Sequence, residues 1–511
     1  WLKRTTVTLL CVLTFTALFM SVKSQQAESL AQQKRLEAES LLGFMVGEFA
    51  DKLRSVKRMD LLDGISNKAL EYFSQQDEGS EESLLLSFTN TEKNFKTRFQ
   101  HAQTLGAMGE VAYSRNKNDE AMQGFSAAKT ILEKLYKIQP ENSELLKTLG
   151  ANAFWLGQLA SDKAELTLAK LHFEEYLSFS KLMNQLKPNN DDAKLELSYA
   201  YLAIGGINSK LQKLGAAKVA LEKALAIQYE LTEDLPKTDM SQVDIADTLE
   251  WLAETEEQLG NLQQAVIARK KVQSILTTLH NTNKSNGDIL EALAYSYFNN
   301  SIVLFYLGNV SDTASTIVYS IEYLDILLQQ DPSNEIWQLH LIAAKAYQHY
   351  LLKLFDDQYT AEPVPLNDFK KIQQRLEKYP FIIIIMIKSY QLEHKWDDAQ
   401  LAIDMVKLKL EELTNKQATN SVLRSTLSNV YLLEAKQNMR YHENVASSKK
   451  DSKPLQSCQQ AISALEPFIT VNSNYKILLP FVKAHDCIDK QAEVRGFIKK
   501  LEHMQIKNYD F

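Results

Sequence analysis

Small residues recur at a fixed interval of 48 residues through the middle of the chain, and the series consists of Ala121, Ala169, Ala217 and Ala265. Three further series keep this interval, at four, seven and nineteen positions after each alanine: Phe125, Phe173 and Leu221; Ala128, Tyr176 and Ala224; Pro140, Pro188 and Pro236. A fifth copy is expected to be shifted by one residue, with Ala314, Val318, Ile321 and Pro332. Because four series share one period, the chain is an array of repeats.

Each repeat is expected to form two helices joined by a short turn and ended by the proline. Alanine at a helix crossing lets two helices pack closely, and proline cannot continue a helix. The 511 residues include only 16 Gly and 10 Pro, too few for a turn-rich β-sandwich, β-propeller or Rossmann array. The fold class is therefore predicted to be all-α, a solenoid of helix pairs.

The spacing of Ala, an aromatic residue, a small residue and Pro resembles the second half of a tetratricopeptide repeat (TPR). The large apolar, Leu and Gly positions of the first half are matched by Leu105, Met108 and Gly109 in one unit and by Leu156 and Gly157 in the next, whereas Leu252 and Ala253 keep only part of the pattern. A TPR usually has about 34 residues, so the resemblance implies a TPR-like array with elongated helix pairs.

An uncharged run of 18 residues, from Thr5 to Val22, lies close to the start of the chain. This length is near the ~20 residues that cross a bilayer, and Lys3 and Arg4 before it favour a cytoplasmic N-terminus. Residues 1–24 are therefore predicted to be a transmembrane anchor in the inner membrane, which contacts the lipid bilayer through residues 5–22. The residues after 24 would then be extracytoplasmic. A cleaved signal peptide and a buried core helix are the alternatives.

The segment after this run resembles one from bacterial single-pass membrane proteins. The resemblance is carried by Glu39–Met45, Arg58–Asp63 and Ala69–Phe73. In that family the segment joins a membrane helix to an extracytoplasmic TPR array, and a cytoplasmic signalling module precedes the helix. The resemblance thus implies a juxtamembrane helical segment over 25–78. The predicted TPR-like array covers 90–355, and a second TPR-like stack with a C-terminal cap covers 369–511.

Motifs for catalysis, metals and nucleotides are missing from the sequence, which has no HExxH, no CxxC and no glycine-rich loop followed by Lys. His340 and His349 would lie on opposite helix faces, so they are not expected to share a metal. The formal net charge of −7 gives no support for nucleic-acid binding. No enzyme activity, cofactor, metal site or nucleic-acid partner is therefore predicted for this part of the chain.

The predicted partner-binding residues fall at positions that face the groove in ordinary TPR arrays. Four carboxylates follow at helical spacing, so that they share one helix face: Asp247, Glu250, Glu254 and Glu257. The comparable positions in other units are Tyr113, Phe154, Tyr199, Asn299 and Tyr306. One interpretation is a solvated helix face with exposed aromatic residues. The other is a groove that binds a protein or peptide, with aromatic anchors and carboxylates that select a basic partner.

Cys458 and Cys487 are the two cysteines outside the N-terminal run. A disulfide between them would close a loop of about 30 residues and stabilise the fold by about 3 kcal/mol. The alternative is that both are buried as small apolar side chains.

Two functions are consistent with these features. The first is the protein-binding TPR region of a membrane-anchored bacterial receptor or regulator, which transmits partner binding to a cytoplasmic module upstream of Trp1 and could form a homo-oligomer. The alternative is a periplasmic TPR scaffold or adaptor in envelope assembly. An enzyme ranks third, because solenoids have repeated shallow surfaces rather than one deep pocket.

Overall fold

The computed structural model describes residues 91–234, 239–355, 364–376, 379–417, 420–444, 453–469 and 474–507, with part of 20–41. All regular elements in these ranges are helices, and no strand occurs among them. The chain forms two compact units, residues 1–211 and 212–511, and each is described by itself. The boundary falls inside the array predicted for 90–355. Most of the predicted juxtamembrane segment, 25–78, lies outside the described ranges.

The first unit consists of five long helices: α1 Thr91–Ser114, α2 Asn118–Tyr136, α3 Ser143–Asp162, α4 Leu166–Leu186 and α5 Asp191–Lys210. Each helix packs against the next one along the chain. Two glycines of the predicted first halves lie against the aromatic residues of the second halves, since a Cβ on Gly109 would be 2.8 Å from the Phe125 ring and one on Gly157 would be 2.7 Å from the Phe173 ring. These close approaches explain the Gly–Phe pairing of the repeat.

The second unit continues the helix pairs and adds a C-terminal group of helices. The helices that continue the array are α6 Leu214–Asp234, α7 Asp239–Leu259, α8 Leu262–Thr282, α9 Gly287–Tyr306, α10 Val310–Gln330 and α11 Glu335–Phe355. They are followed by α12 Leu366–Gln374, α13 Pro380–Leu392, α14 Trp396–Lys416, α15 Ser421–Asn444, α16 Lys453–Leu465, α17 Tyr475–Cys487 and α18 Arg495–His503. The apolar run 381–387 lies in α13, and all but its first residue is buried.

The turn inside each helix pair repeats the same backbone conformation. A residue with positive φ occurs every 48 residues: Asn116, Ala164, Gln212, Gly260 and Gly308. In four of these turns, those at Asn116, Ala164, Gly260 and Gly308, the next residue donates its N–H to a carbonyl five positions back, as Lys117 does to Ala112 at 3.0 Å and Asn261 does to Glu256 at 2.8 Å. This arrangement is the Schellman motif, which satisfies the last carbonyls of the first helix.

The fifth repeat keeps the register, so the predicted one-residue shift is wrong. Thr313, Ile317 and Ser320 of α10 are fully shielded from solvent, whereas Val318 is exposed and Ile321 retains 9% exposure. The three shielded positions continue the 48-residue series without a gap. Burial in this copy therefore follows position in the helix pair rather than residue type.

The prediction of a single-pass inner-membrane protein is corrected by the helices themselves. Among the described residues, no helix combines the length and the apolar character that a membrane crossing requires. The strongly apolar α13 has only 13 residues, against the ~20 of a spanning helix. Most of the run 5–22, for which a bilayer contact was predicted, lies outside the described residues.

Candidate protein-binding surface

The four carboxylates predicted to face a partner lie along α7, but their environments differ. Asp247 and Glu254 are exposed, Glu250 is partly buried, and Glu257 is buried. The helical spacing therefore places them on one side of α7, as predicted, while the neighbouring helices cover one end of the row. The surface consequently has an open part and a closed part.

The closed part is built around Arg269 of α8, of which only 2% is exposed. This arginine occupies the position that Leu221 holds one repeat earlier. Its Nε donates to Glu250 Oε1 at 3.0 Å and its Nη1 donates to Glu257 Oε2 at 2.8 Å. A buried guanidinium needs such partners, because an unpaired charge in the interior costs several kcal/mol. Arg269 thus explains why two of the predicted carboxylates turn towards the core.

Glu257 also binds the C-terminal helix α17. The Tyr475 hydroxyl donates to Glu257 Oε1 at 2.9 Å, and Lys476 Nζ lies 2.8 Å from the same oxygen. Burial would raise the pKa of Glu257, but the charges of Lys476 and Arg269 outweigh it and lower this pKa to about 2. The carboxylate therefore stays ionised and holds three partners at once.

Tyr306 of α9, a second residue predicted to face a partner, also contacts α17. Its ring lies 4.6 Å from the ring of Tyr475 in an edge-to-face arrangement, and it is buried in an apolar cluster with residues of α17 and α18. The chain's own C-terminal segment therefore occupies part of the predicted surface. Arg269 and Tyr475 were not predicted, although an arginine in a series of apolar groove residues is a signal for a buried ion pair.

The open part keeps an excess of negative charge. Partial loss of water, together with the charges of Asp244 and Glu250, raises the pKa of Asp247 to about 6, although the side chain remains exposed. Partial loss of water around its carboxylate and the charge of Glu257 also raise the pKa of Glu254, although the residue remains exposed. Glu250 Oε2, at the border with the closed part, is buried and has no hydrogen-bond partner. Such a surface favours a cation or a basic segment, because nearby positive charge would relieve the repulsion among carboxylates.

The first unit holds three of the predicted residues in an aromatic cluster. The Tyr113 hydroxyl donates to Asp162 at 2.7 Å, and its ring lies 5.2 Å from that of Trp155. Phe154 packs between helices against Phe173 at 5.9 Å. Tyr199 is partly buried beside the same cluster. Burial and the bond to Asp162 raise the pKa of Tyr113 to about 12. These side chains support the packing of α1, α3, α4 and α5, while Tyr113 and Trp155 remain partly accessible.

Asn299 of α9 is partly buried, and no contact connects it to the carboxylates of α7 among the residues that the structure describes. Of the nine predicted partner-binding residues, the structure therefore brings together the four carboxylates and Tyr306. The partner-binding role of all nine remains a prediction.

Cys458 of α16 and Cys487 of α17 are joined in a disulfide, with their Cα atoms 6.2 Å apart. This separation lies within the range that disulfides span. The bond would fix the C-terminal end of α17 to α16, whereas Tyr475 lies at the N-terminal end of α17. The pairing remains a prediction for the protein in solution.

In the described ranges, no group of three His, Cys, Asp or Glu side chains is arranged to hold a metal ion. His349 lies 3.5 Å from Glu393, and the rings of His340 and Tyr295 are 4.3 Å apart. The two histidines of α11 thus have separate surroundings.

No family model matches this chain, and no curated protein matches it. Among solved structures, RapI is 10% identical over 91% of this chain and 97% of its own, with a TM-score of 0.43. Aspartyl phosphate phosphatase F from Bacillus subtilis is 12% identical over 72% and 93%, with a TM-score of 0.42. A thermophilic TPR protein from Thermus thermophilus is 17% identical over 48% and 98%, with a TM-score of 0.29. These scores are too low to support an inference about function, so the helical-repeat assignment rests on the repeat geometry of the chain itself.

Proposed function

We propose that this chain is a non-catalytic array that binds a protein or peptide on the acidic face of α7 and the adjoining faces of α8 and α9. The observation that supports this function best is the contact between Glu257 and the Tyr475–Lys476 pair. The surface binds a polypeptide segment there through a tyrosine, one of the residue types that dominate interface hot spots, and through a lysine whose charge complements the carboxylate.

The open carboxylates indicate the chemistry of the partner. Asp247 and Glu254 are exposed and not neutralised by any ion pair among the described residues. A helical or extended segment with Lys or Arg residues would gain from this charge, and its aromatic residues would pack against the neighbouring helices. We further propose that the array is the sensing region of a regulator, so that partner binding is passed to a second module. Homo-oligomer formation remains a prediction.

Peptide selection on the full chain tests this function. A displayed library of 12-residue peptides would be selected on the wild-type protein, and the Kd of the enriched peptides measured by isothermal titration calorimetry. We expect basic, aromatic peptides whose affinity falls at least tenfold in the Asp247→Asn, Glu254→Gln double variant. The matched control is Asp404→Asn, because Asp404 is an exposed acid on the distant α14. Peptides that bind the double variant as tightly as the wild type would refute the acidic-face assignment.

A further inference from the structure

Two of the helix-pair turns differ from the others in their side chains. The first three turns carry Asn116, Ala164 and Gln212 at the positive-φ position, whereas the last two carry Gly260 and Gly308. Glycine adopts positive φ without strain, but the first three turns show that the conformation does not require it here. A second cause must account for the glycines.

The C-terminal segment supplies that cause. A Cβ on Gly260 would lie 2.6 Å from the end of the Met504 side chain, and one on Gly308 would lie 3.0 Å from Lys507 Cβ. The Lys507 N–H donates to the carbonyl of Tyr306 at 2.9 Å. The two turns without side chains are thus the two on which residues after α18 lie. The array is built to receive this segment.

Apolar contacts complete the interface. The side chains contributed by α8, by α9 and by the turn after α9 include Leu262, Val266, Val303, Leu304 and Leu307, and those contributed by the C-terminal segment include Leu478, Leu479, Val482, Leu501 and Ile506. All of them are buried. The segment from Asn474 to Lys507, which we name the C-terminal latch, therefore binds by an apolar face, two glycine turns and the Tyr475–Lys476 pair.

The polar site beneath the latch does not depend on it. Glu250, Glu257 and Arg269 pair with one another across α7 and α8, so departure of the latch leaves no unpaired arginine. Two carboxylates and one guanidinium carry a net negative charge, which Lys476 neutralises from a position that is about half exposed. A ligand for this site consequently needs an aromatic hydroxyl that reaches Glu257 and a neighbouring cation.

We infer that the C-terminal latch is a built-in ligand of the array, and that a partner segment with an aromatic hydroxyl followed by a cation competes with it for the Glu250–Arg269–Glu257 site. The inference rests on the proposed function and names the recognition element and its regulation. Partner binding and latch docking exclude each other, because both use Glu257 and the faces of α8 and α9. The latch therefore sets the affinity of the closed part of the surface.

The test uses the full chain and a fluorescein-labelled synthetic peptide of residues 474–507 carrying Cys487→Ser. Lys476→Ala in the chain weakens the latch but leaves the site intact, so we expect it to bind the peptide at least tenfold more tightly than the wild type does, by fluorescence anisotropy. Adding Gly260→Asn keeps a residue that tolerates positive φ but obstructs Met504 of the peptide, so the double variant should lose this gain. Lys499→Ala, an exposed position on the latch, is the matched control and should behave as the wild type.

Equal peptide affinity for Lys476→Ala and the wild type would overturn the inference of a latch. It would also be overturned if the double variant bound the peptide as tightly as Lys476→Ala alone. If Lys476→Ala loses its helical circular dichroism, Tyr475→Phe is used in its place, because it removes only one hydroxyl. It too should bind the peptide more tightly than the wild type does. Failure of this peptide while selected basic peptides still require Asp247 and Glu254 would refute the latch and leave the proposed function in place.

Discussion

Tyr475 and Glu257 are hydrogen-bonded at 2.9 Å although 218 residues separate them in the sequence. Glu257 is ionised in the interior because Arg269 and Lys476 compensate its charge. One buried carboxylate therefore connects two helices of the array with the C-terminal helix. Its loss should affect both the stability of the second unit and the docking of its C-terminal segment.

Replacement of this carboxylate by an amide should be strongly destabilising. Glu257→Gln leaves the Arg269 charge with one carboxylate, and we expect the free energy of unfolding to fall by about 3 kcal/mol in urea titrations at pH 7. Since the pKa of Glu257 is lowered to about 2, the wild type has this stabilisation fully above about pH 4.5 and loses it as the pH falls towards 2. The variant should lack that part of the acid dependence. Glu254→Gln, at an exposed position of the same helix, should not lower stability at pH 7, because the pKa of Glu254 is raised in the folded state. An equal loss of stability in the two variants would contradict the assignment.

The positive-φ turns give opposite predictions for two repeats. Ala164 has φ 59°, and relief of its left-handed strain by Ala164→Gly should stabilise the first unit by about 1 kcal/mol. Gly260→Ala introduces the same strain and a collision with Met504, so we expect a loss of about 2–4 kcal/mol. Thermal unfolding followed by circular dichroism measures both. A second substitution, Met504→Ala, should restore part of the stability lost in Gly260→Ala, because it removes the side chain that the new Cβ meets. It should leave the stabilisation by Ala164→Gly unchanged in sign. Equal and small shifts in both repeats would show that the C-terminal segment does not lie on Gly260.

The helix pairs could be predicted from the sequence because the 48-residue period repeats local packing. Ala121 and Phe125 are buried where the spacing predicts, and the same is true of the following copies. The fifth copy was misplaced because Thr313 and Ile317 fill positions whose residue types differ from those of the earlier copies. Burial follows the period more faithfully than residue type does, since the turns fix the register.

The candidate surface was predicted less completely. The helical spacing placed Glu250 and Glu257 on one face, and the structure agrees. Their partners could not be found in this way, because Tyr475 and Lys476 reach Glu257 through the fold of the whole second unit. Arg269 was the available signal, since a charged residue in an apolar series must bring buried counter-charges with it.

Titration of Asp247 should be visible in the pH dependence of stability. Its pKa is raised to about 6, above the ordinary value of 3.8, so the folded state binds the proton more tightly than the unfolded state does. Stability from this group is therefore present below about pH 4 and is lost as the pH rises through 6. We expect Asp247→Asn to raise the melting temperature at pH 7.5 and to flatten the decline between pH 4 and 6. Asp404→Asn should leave the pH dependence of the melting temperature unchanged. If the curve of Asp247→Asn ran parallel to that of the wild type, it would contradict the raised pKa.

The disulfide should hold α17 against α16 and so support the docking of Tyr475. The bond spans 29 residues of sequence, for which loop closure predicts a stabilisation of about 3 kcal/mol. Alkylation of the denatured protein should label one of its three cysteines before reduction and all three afterwards, by intact mass. Cys458→Ser, Cys487→Ser should then unfold at lower urea concentration than the oxidised wild type and at the same concentration as the reduced protein. Three labels without reduction would show that the thiols are free. In that case burial alone would account for Cys458, which is fully shielded from solvent, and the loss of stability on substitution would reflect packing rather than a cross-link.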